Sequence, residues 1–83
     1  MPEVDIGAVS DFFSRAMAAG IELTGSLRVG DRIHIKGHTT DMETAVDSMQ
    51  VNNKPVEEGK PGDAIGIRLP DRVRRGDRVF KIT

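Results

Sequence analysis

Residues 29–37 read "VGDRIHIKG", a Gly-Asp pair followed by a run of alternating side chains. The two isoleucines of this run fall on one side of an extended chain, and its arginine, histidine and lysine fall on the other. Strict alternation of apolar and polar residues indicates a half-buried β-strand. The stretch therefore predicts a strand that the chain enters through a turn at Gly30-Asp31.

The same arrangement recurs twice further along the chain. Gly62-Asp63 precedes the alternating run "AIGIRL", and Gly76-Asp77 precedes "RVFKI", a short run rich in β-forming residues. Glycine supplies a backbone conformation that is closed to other residues, and an aspartate side chain can hydrogen-bond to the backbone just ahead. We interpret the three pairs as strand entrances rather than as binding or catalytic loops.

Further turn signals separate short strands along the whole chain. Asn52-Asn53 follows "TAVDSMQV" and tolerates positive φ, which suits a tight hairpin, and Pro61-Gly62 is a preferred central pair of a type II turn. Nine glycines and four prolines among 83 residues favour a turn-rich, mostly β protein. These signals predict one all-β domain over residues 1–83, built as a small barrel or sandwich.

Residues 10–20, "SDFFSRAMAAG", carry two competing patterns. Ser10 suits the cap of a helix running to Gly20, and both phenylalanines have an apolar residue four positions later. The other pattern has period two and comprises Met17, Ala19, Ile21 and Leu23. The second pattern favours a hairpin with its tip near Ser14-Arg15, and a helical turn is the alternative.

Composition shows which residues are available for the core and indicates where the protein is located. There is no cysteine, so the core depends on Phe12, Phe13, Phe80, four methionines and many aliphatic residues. The acidic beginning has no apolar segment typical of a secretion signal, and no apolar run approaches the roughly 20 residues of a membrane span. We expect a soluble cytoplasmic protein that does not associate with membranes.

Charge is distributed unevenly. Residues 1–67 hold six Lys or Arg against eleven Asp or Glu, whereas residues 68–83 hold six against two. A guanidinium group offers a planar fork of donors that suits RNA phosphate. The candidate contact residues at this basic end are Arg68, Arg72, Arg74, Arg75 and Arg78. Alternatively, these arginines pair with the acidic remainder and keep an edge strand soluble. No stacking aromatic is interleaved, because Phe80 is expected to alternate into the core.

The chain offers little for catalysis or metal binding. It contains no "GxSxG" nucleophile elbow and no other recognisable catalytic constellation, so we expect a protein that is not an enzyme and needs no cofactor. His34, His38 and Asp41 provide three nitrogen or oxygen ligands without a fourth ligand or a motif. We interpret the histidines as surface residues and predict no metal site.

Three segments in order resemble a known family: "LTGSLRVGDRIHIKG", "VDSMQVNNKPVEEGKPGDAIGIRL" and "VRRGDRVFKI". Together they resemble the second, β-barrel domain of the translation GTPases typified by elongation factor Tu, over about residues 5–82. The chain is also similar to the C-terminal accessory domain of some collagenase-like peptidases. The resemblance implies a closed barrel of six strands.

The translation-factor resemblance implies a non-catalytic binding module that contacts RNA or a ribosome-associated ribonucleoprotein. It aligns Asp63 with an acidic residue near the aminoacyl end of tRNA in elongation factor Tu. The chain has no "GxxxxGK[ST]" phosphate loop, so it is not expected to bind or hydrolyse GTP. The peptidase resemblance implies instead a protein-interaction barrel that acts on a partner protein or as a homodimer.

Overall fold

The computed structural model describes residues 2–83, which form strands joined by turns. The strands are β1 (Glu3–Phe13), β2 (Ala18–Leu23), β3 (Leu27–Arg28), β4 (Arg32–Lys36), β5 (Asp41–Ala45), β6 (Met49–Val51), β7 (Lys54–Val56), β8 (Glu58–Gly59), β9 (Ala64–Arg68) and β10 (Arg78–Ile82). No α-helix occurs in residues 2–83, and hence none that could span a membrane. The all-β prediction is confirmed.

Eight strands form one antiparallel sheet in the order β5-β4-β10-β1-β2-β9-β6-β7, and β3 pairs with β8 in a second, two-stranded sheet. β1 lies near the middle of the large sheet, where it pairs with β10 and β2. Its register shifts between Asp5 and Gly7 and again between Val9 and Asp11, and such bulges bend a strand.

A closed barrel of six strands is not confirmed. The large sheet is open, with edges at β5 and β7, and the described residues contain ten strands. Two of the additional strands, β3 and β8, have only two residues each. Segments that short carry no periodicity, so they cannot be recognised from the sequence.

The three Gly-Asp turns are built alike. The φ angles of Gly30, Gly62 and Gly76 are 97°, 93° and 93°. In each turn the aspartate carboxylate accepts a hydrogen bond from the backbone N–H three residues earlier, at 3.0, 2.9 and 2.9 Å. Each glycine N–H also donates to the carbonyl of a buried residue on another segment, namely Val46, Leu23 and Val9 respectively. The interpretation of these pairs as strand entrances is confirmed.

Both predicted hairpins are present. β1 and β2 are joined by a turn over residues 14–17, so the hairpin is confirmed and the alternative helix is not formed. β6 and β7 are joined by Asn52 and Asn53, with φ angles of 53° and 63°. Two consecutive positive φ angles match the right-handed twist of the paired strands.

The buried core is aliphatic, with one methionine. It comprises Ile6, Val9, Ala19, Ile21, Leu23, Leu27, Ile33, Ile35, Val46, Met49, Ile65, Ile67, Leu69, Val73 and Val79. The prediction of phenylalanines in the core is wrong for Phe13, which is 56% exposed, and Phe12 only packs against the core's edge. Adjacent residues of a strand face opposite sides, so these two cannot both enter the core.

Phe80 does not alternate into the core either. Its neighbour Val79 is fully buried, whereas Phe80 is half-buried with the Lys36 ammonium 5.5 Å from its ring centroid. The register of β10 therefore assigns the core position to valine and leaves the aromatic ring on the opposite face.

Candidate partner-binding surface

Two grooves flank the tip of the β1–β2 hairpin. One, of about 420 Å³, lies beside Phe12 and is also lined by Arg72 and Arg74. The other, of about 480 Å³, lies beside Phe13 and is lined by Arg68. We call the surface formed by these five residues the tip face.

The fold holds the arginine-bearing segment against the hairpin at both of its ends. The Leu69 N–H donates to the Met17 carbonyl, and the Gly76 N–H donates to the Val9 carbonyl, both at 2.8 Å. Residues 69–77 therefore follow the hairpin from its tip to the middle of β1. Backbone bonds of this kind position a connecting segment that has no strand of its own.

Val73 anchors the middle of that segment and exposes the arginines on either side. Val73 is 4% exposed, whereas Arg72 and Arg74 are exposed. The Asp71 carboxylate accepts the backbone N–H of Arg72 at 2.7 Å. Among residues 2–83, neither guanidinium forms an ion pair. The groove beside Phe12 thus combines a partly apolar wall with two unpaired cations.

The other predicted contact residues lie in different surroundings. Arg75 is exposed in the Gly76 turn and lines neither groove. The Arg78 guanidinium donates from Nη2 to Asp5 Oδ1 at 2.8 Å and from Nε to Asp5 Oδ2 at 3.1 Å. The hydrogen bond from Arg78 holds the pKa of Asp5 below its ordinary value. For Arg78, pairing with the acidic remainder of the chain is confirmed.

Asp63 belongs to a turn away from the tip face. Its carboxylate accepts the Lys60 N–H at 2.9 Å, as the aspartates of the other two turns do with their own backbone donors. The five candidate arginines of the basic end therefore have three different surroundings. Arg68, Arg72 and Arg74 are exposed on the tip face, Arg75 lies in a turn, and Arg78 is ion-paired with Asp5.

The hairpin tip contributes residues that sequence reasoning does not select. The sequence predicts Phe12 and Phe13 in the core and places Arg15 only in the turn. In the structure Arg15 and Phe13 are exposed at the tip. The usable signal is the pair of adjacent phenylalanines at the end of a strand, because one of them must face outwards.

His34 is not a surface histidine. Only 8% of the residue is exposed, its Nδ1 lies 2.7 Å from Glu3 Oε2, and its Nε2 is hydrogen-bonded to the Asp41 carboxylate. The hydrogen bonds that the imidazole of His34 makes to the Asp41 and Glu3 carboxylates raise the pKa of His34 and lower the pKa of both carboxyl groups. The structure thus joins His34 to Asp41, as considered from the sequence, but leaves His38 exposed in the following loop.

The chain has relatives in two groups of proteins, although no protein-family model matches it. It is 44% identical over 79 residues to an uncharacterized protease of Methanocaldococcus jannaschii, covering 94% of this chain and 19% of the protease. A collagenase of Porphyromonas gingivalis is 30% identical, over 95% of this chain and 20% of the collagenase. Elongation factor Tu 2 of Streptomyces avermitilis is 39% identical, over 66% of this chain and 15% of the factor.

Solved structures show the same two likenesses in the fold. The C-terminal domain of a protein assigned to the U32 peptidases, from Geobacillus thermoleovorans, superposes with a TM-score of 0.90 at 11% identity, over 96% of this chain and 93% of that domain. A bacterial selenocysteine-specific elongation factor superposes with a TM-score of 0.75 at 21% identity, over 94% of this chain and 14% of the factor.

The fold is therefore that of a barrel-like domain present in peptidase-family proteins and in translation factors. Both resemblances stated from the sequence are confirmed. The chain spans only about a fifth of the length of the peptidase-family relatives that it matches.

Proposed function

We propose that the chain is a non-catalytic accessory module that binds a partner protein through the tip face. The observation that carries the proposal is Phe13, which is 56% exposed at the hairpin tip and lines a groove together with Arg68. Aromatic residues and arginine are enriched at protein interfaces and provide much of their binding energy. An exposed phenyl ring beside the guanidinium of Arg68 is the kind of anchor that a partner's pocket can enclose.

A non-catalytic role is supported by the surroundings of His34. Both of its ring nitrogens are engaged by carboxylates, from Glu3 and Asp41. A histidine that acts as a general base needs one nitrogen directed at a nucleophile or substrate. In this arrangement the imidazole links strands β1, β4 and β5 instead.

The proposed partner is the remaining part of a peptidase-family protein, on the same chain or on another. The match to the archaeal protease leaves about four fifths of that protease outside the aligned segment. A module that recurs as one segment of longer proteins is suited to docking on the other segments. The tip face then forms the contact with that larger part.

The first test is cross-linking of the protein in native lysate, followed by mass spectrometry of the captured proteins. We expect a peptidase-family protein among them, and Phe13→Ala should weaken binding to the purified partner about 30-fold, the loss of a hot spot of about 2 kcal/mol. The matched control is Val4→Ala, since Val4 is 50% exposed but lies at the opposite end of β1. Equal affinities of the Phe13→Ala and Val4→Ala variants would contradict the proposal.

RNA is a second candidate ligand, because Arg72 and Arg74 are unpaired beside the partly exposed ring of Phe12. Phosphate contacts release counterions, so RNA affinity should fall steeply as salt is raised. Substituting Arg72, Arg74 and Arg75 together with alanine should lower the slope of log affinity against log salt by about 0.7 for each phosphate that the variant no longer neutralises. The control is Arg28→Ala, because Arg28 lies outside both grooves. An unchanged slope in the triple variant would show that the basic end does not bind RNA.

A further inference from the structure

We propose that Glu3, His34 and Glu43 form a binding site for Zn²⁺ on strands β1, β4 and β5. The site is separate from the tip face and does not depend on the function proposed for that surface. One ligand atom from each of the three residues lies within 4.8 Å of the other two.

The distances suit coordination after small side-chain movements, with the proton between His34 Nδ1 and Glu3 released to solvent when the metal binds. His34 Nδ1 lies 2.7 Å from Glu3 Oε2 and 4.0 Å from Glu43 Oε1. Zinc binds histidine nitrogen and carboxylate oxygen at about 2.0–2.2 Å, and tetrahedral geometry then separates ligand atoms by roughly 3.4 Å. One carboxylate must therefore withdraw by about 0.7 Å and the other approach by about 0.6 Å. Both are changes that a glutamate rotamer can provide.

The backbone register brings the ligands to one face. His34 and Glu43 are directly paired across β4 and β5, and directly paired residues project from the same side of a sheet. Glu3 lies on β1, and only β10 lies between β1 and β4 in the sheet. The Glu3 side chain therefore reaches the same imidazole. Three strands of one sheet therefore hold the three ligands.

A fourth residue supplies the outer support that histidine ligands of metals usually have. The Asp41 carboxylate is hydrogen-bonded to His34 Nε2, the nitrogen that faces away from the proposed ion. Such a carboxylate–histidine–zinc arrangement fixes the imidazole's orientation and makes the coordinating nitrogen a stronger ligand. The hydrogen bond between Asp41 and His34 distinguishes this cluster from a surface group of acidic side chains.

Neighbouring cations engage the glutamate oxygens that the metal would not use. Lys36 Nζ lies 3.4 Å from Glu3 Oε1, and Arg32 Nη2 lies 3.9 Å from Glu43 Oε2. The oxygens directed at His34 are the opposite ones on each carboxylate, Oε2 of Glu3 and Oε1 of Glu43. The two positive charges orient the ligands while moderating the affinity for a cation.

The ligand set selects a borderline metal over the hard alkaline-earth ions. One imidazole with two carboxylates matches the nitrogen and oxygen ligands of zinc, whereas Ca²⁺ and Mg²⁺ prefer oxygen ligands alone. Three protein ligands leave a fourth tetrahedral position for water. The Glu43 side chain is 52% exposed, so that position is open to solvent.

The test is calorimetric titration of the purified protein with Zn²⁺, with Mg²⁺ as the comparison ion. We expect one zinc bound per chain and no heat from Mg²⁺ beyond dilution. Glu43→Gln should weaken zinc binding at least about tenfold, and Asp41→Asn about 10- to 100-fold, as loss of outer support does at other metal sites. His34→Gln should abolish binding. Co²⁺ substitution should give the visible absorption of a tetrahedral site.

Two matched controls separate the site from non-specific binding. His38→Gln removes the exposed histidine four residues away, and Glu58→Gln removes an exposed glutamate outside the cluster; both should leave zinc affinity unchanged. Because His34 is buried, its variant is checked for folding by circular dichroism, and the exposed Glu43 provides the independent test if that variant fails to fold. Absence of zinc binding at millimolar metal, or equal affinities of Glu43→Gln and Glu58→Gln, would overturn the proposal.

Discussion

Replacing Gly7 by alanine is expected to lower the free energy of unfolding by about 3 kcal/mol, the upper end for an overpacked position. A Cβ at residue 7 would lie 2.3 Å from the backbone carbonyl oxygen of Glu22 on the paired strand β2. Backbone atoms of a central sheet cannot move aside as a flexible side chain can. The strands would have to separate at the bulge of β1, which lies between Asp5 and Gly7.

Thermal denaturation followed by circular dichroism measures this effect. For a domain of this size each kcal/mol shifts Tm by about 4–8 °C, so Gly7→Ala should lower Tm by about 12–24 °C. Gly66→Ala is the matched control, because a Cβ at residue 66 meets nothing within 4 Å. That variant should melt within about 5 °C of the wild type, since restricting the unfolded chain offsets small losses. Equal melting temperatures for the two variants would show that the close approach at Gly7 is not a constraint.

Leu27→Ala is expected to destabilise the protein by about 2–5 kcal/mol through the cavity that it leaves. Leu27 is fully buried although its strand, β3, has only two residues. It pairs with Gly59 of β8, and a Cβ at residue 59 would lie 2.6 Å from Leu23 in the large sheet. The small sheet therefore packs directly on the main core, and Leu27 is its buried side chain in β3.

Urea denaturation at constant temperature measures the Leu27→Ala effect. The midpoint should fall while the slope stays close to that of the wild type, because a cavity changes stability and not the surface exposed on unfolding. Val29→Ala, two residues away and 39% exposed, is the control and should change stability by no more than about 0.5 kcal/mol. A Leu27→Ala midpoint indistinguishable from that of Val29→Ala would mean that the two-stranded sheet does not contribute to the cooperative core.

The pairing of the strands into an open sheet is the part of the fold that the sequence did not predict. The resemblance to translation-factor barrels predicted six closed strands, whereas the larger sheet is open between β5 and β7. Alternation reveals that a segment is extended and which side is apolar. It does not reveal which strands pair, because pairing depends on segments far apart in the chain.

The candidate surfaces show the same limit for function. Arg72 and Arg78 are six residues apart in one basic segment, yet one is unpaired beside a groove and the other is bound to Asp5. Charge pattern identified both arginines but could not separate them. Asp5 lies 73 residues from Arg78, and only the β1–β10 pairing brings the two together.

What the sequence by itself determined is local. Gly30, Gly62 and Gly76 require positive φ, their aspartates bond within the same turn, and Asn52-Asn53 closes a two-residue hairpin, because each of these depends on neighbouring atoms only. Tertiary structure alone decided that Phe13 rather than Phe12 is the exposed phenylalanine, and that His34 is buried between Glu3 and Asp41. Burial and partner choice arise from strands that meet across the sheet, so a single segment's pattern contains no record of them.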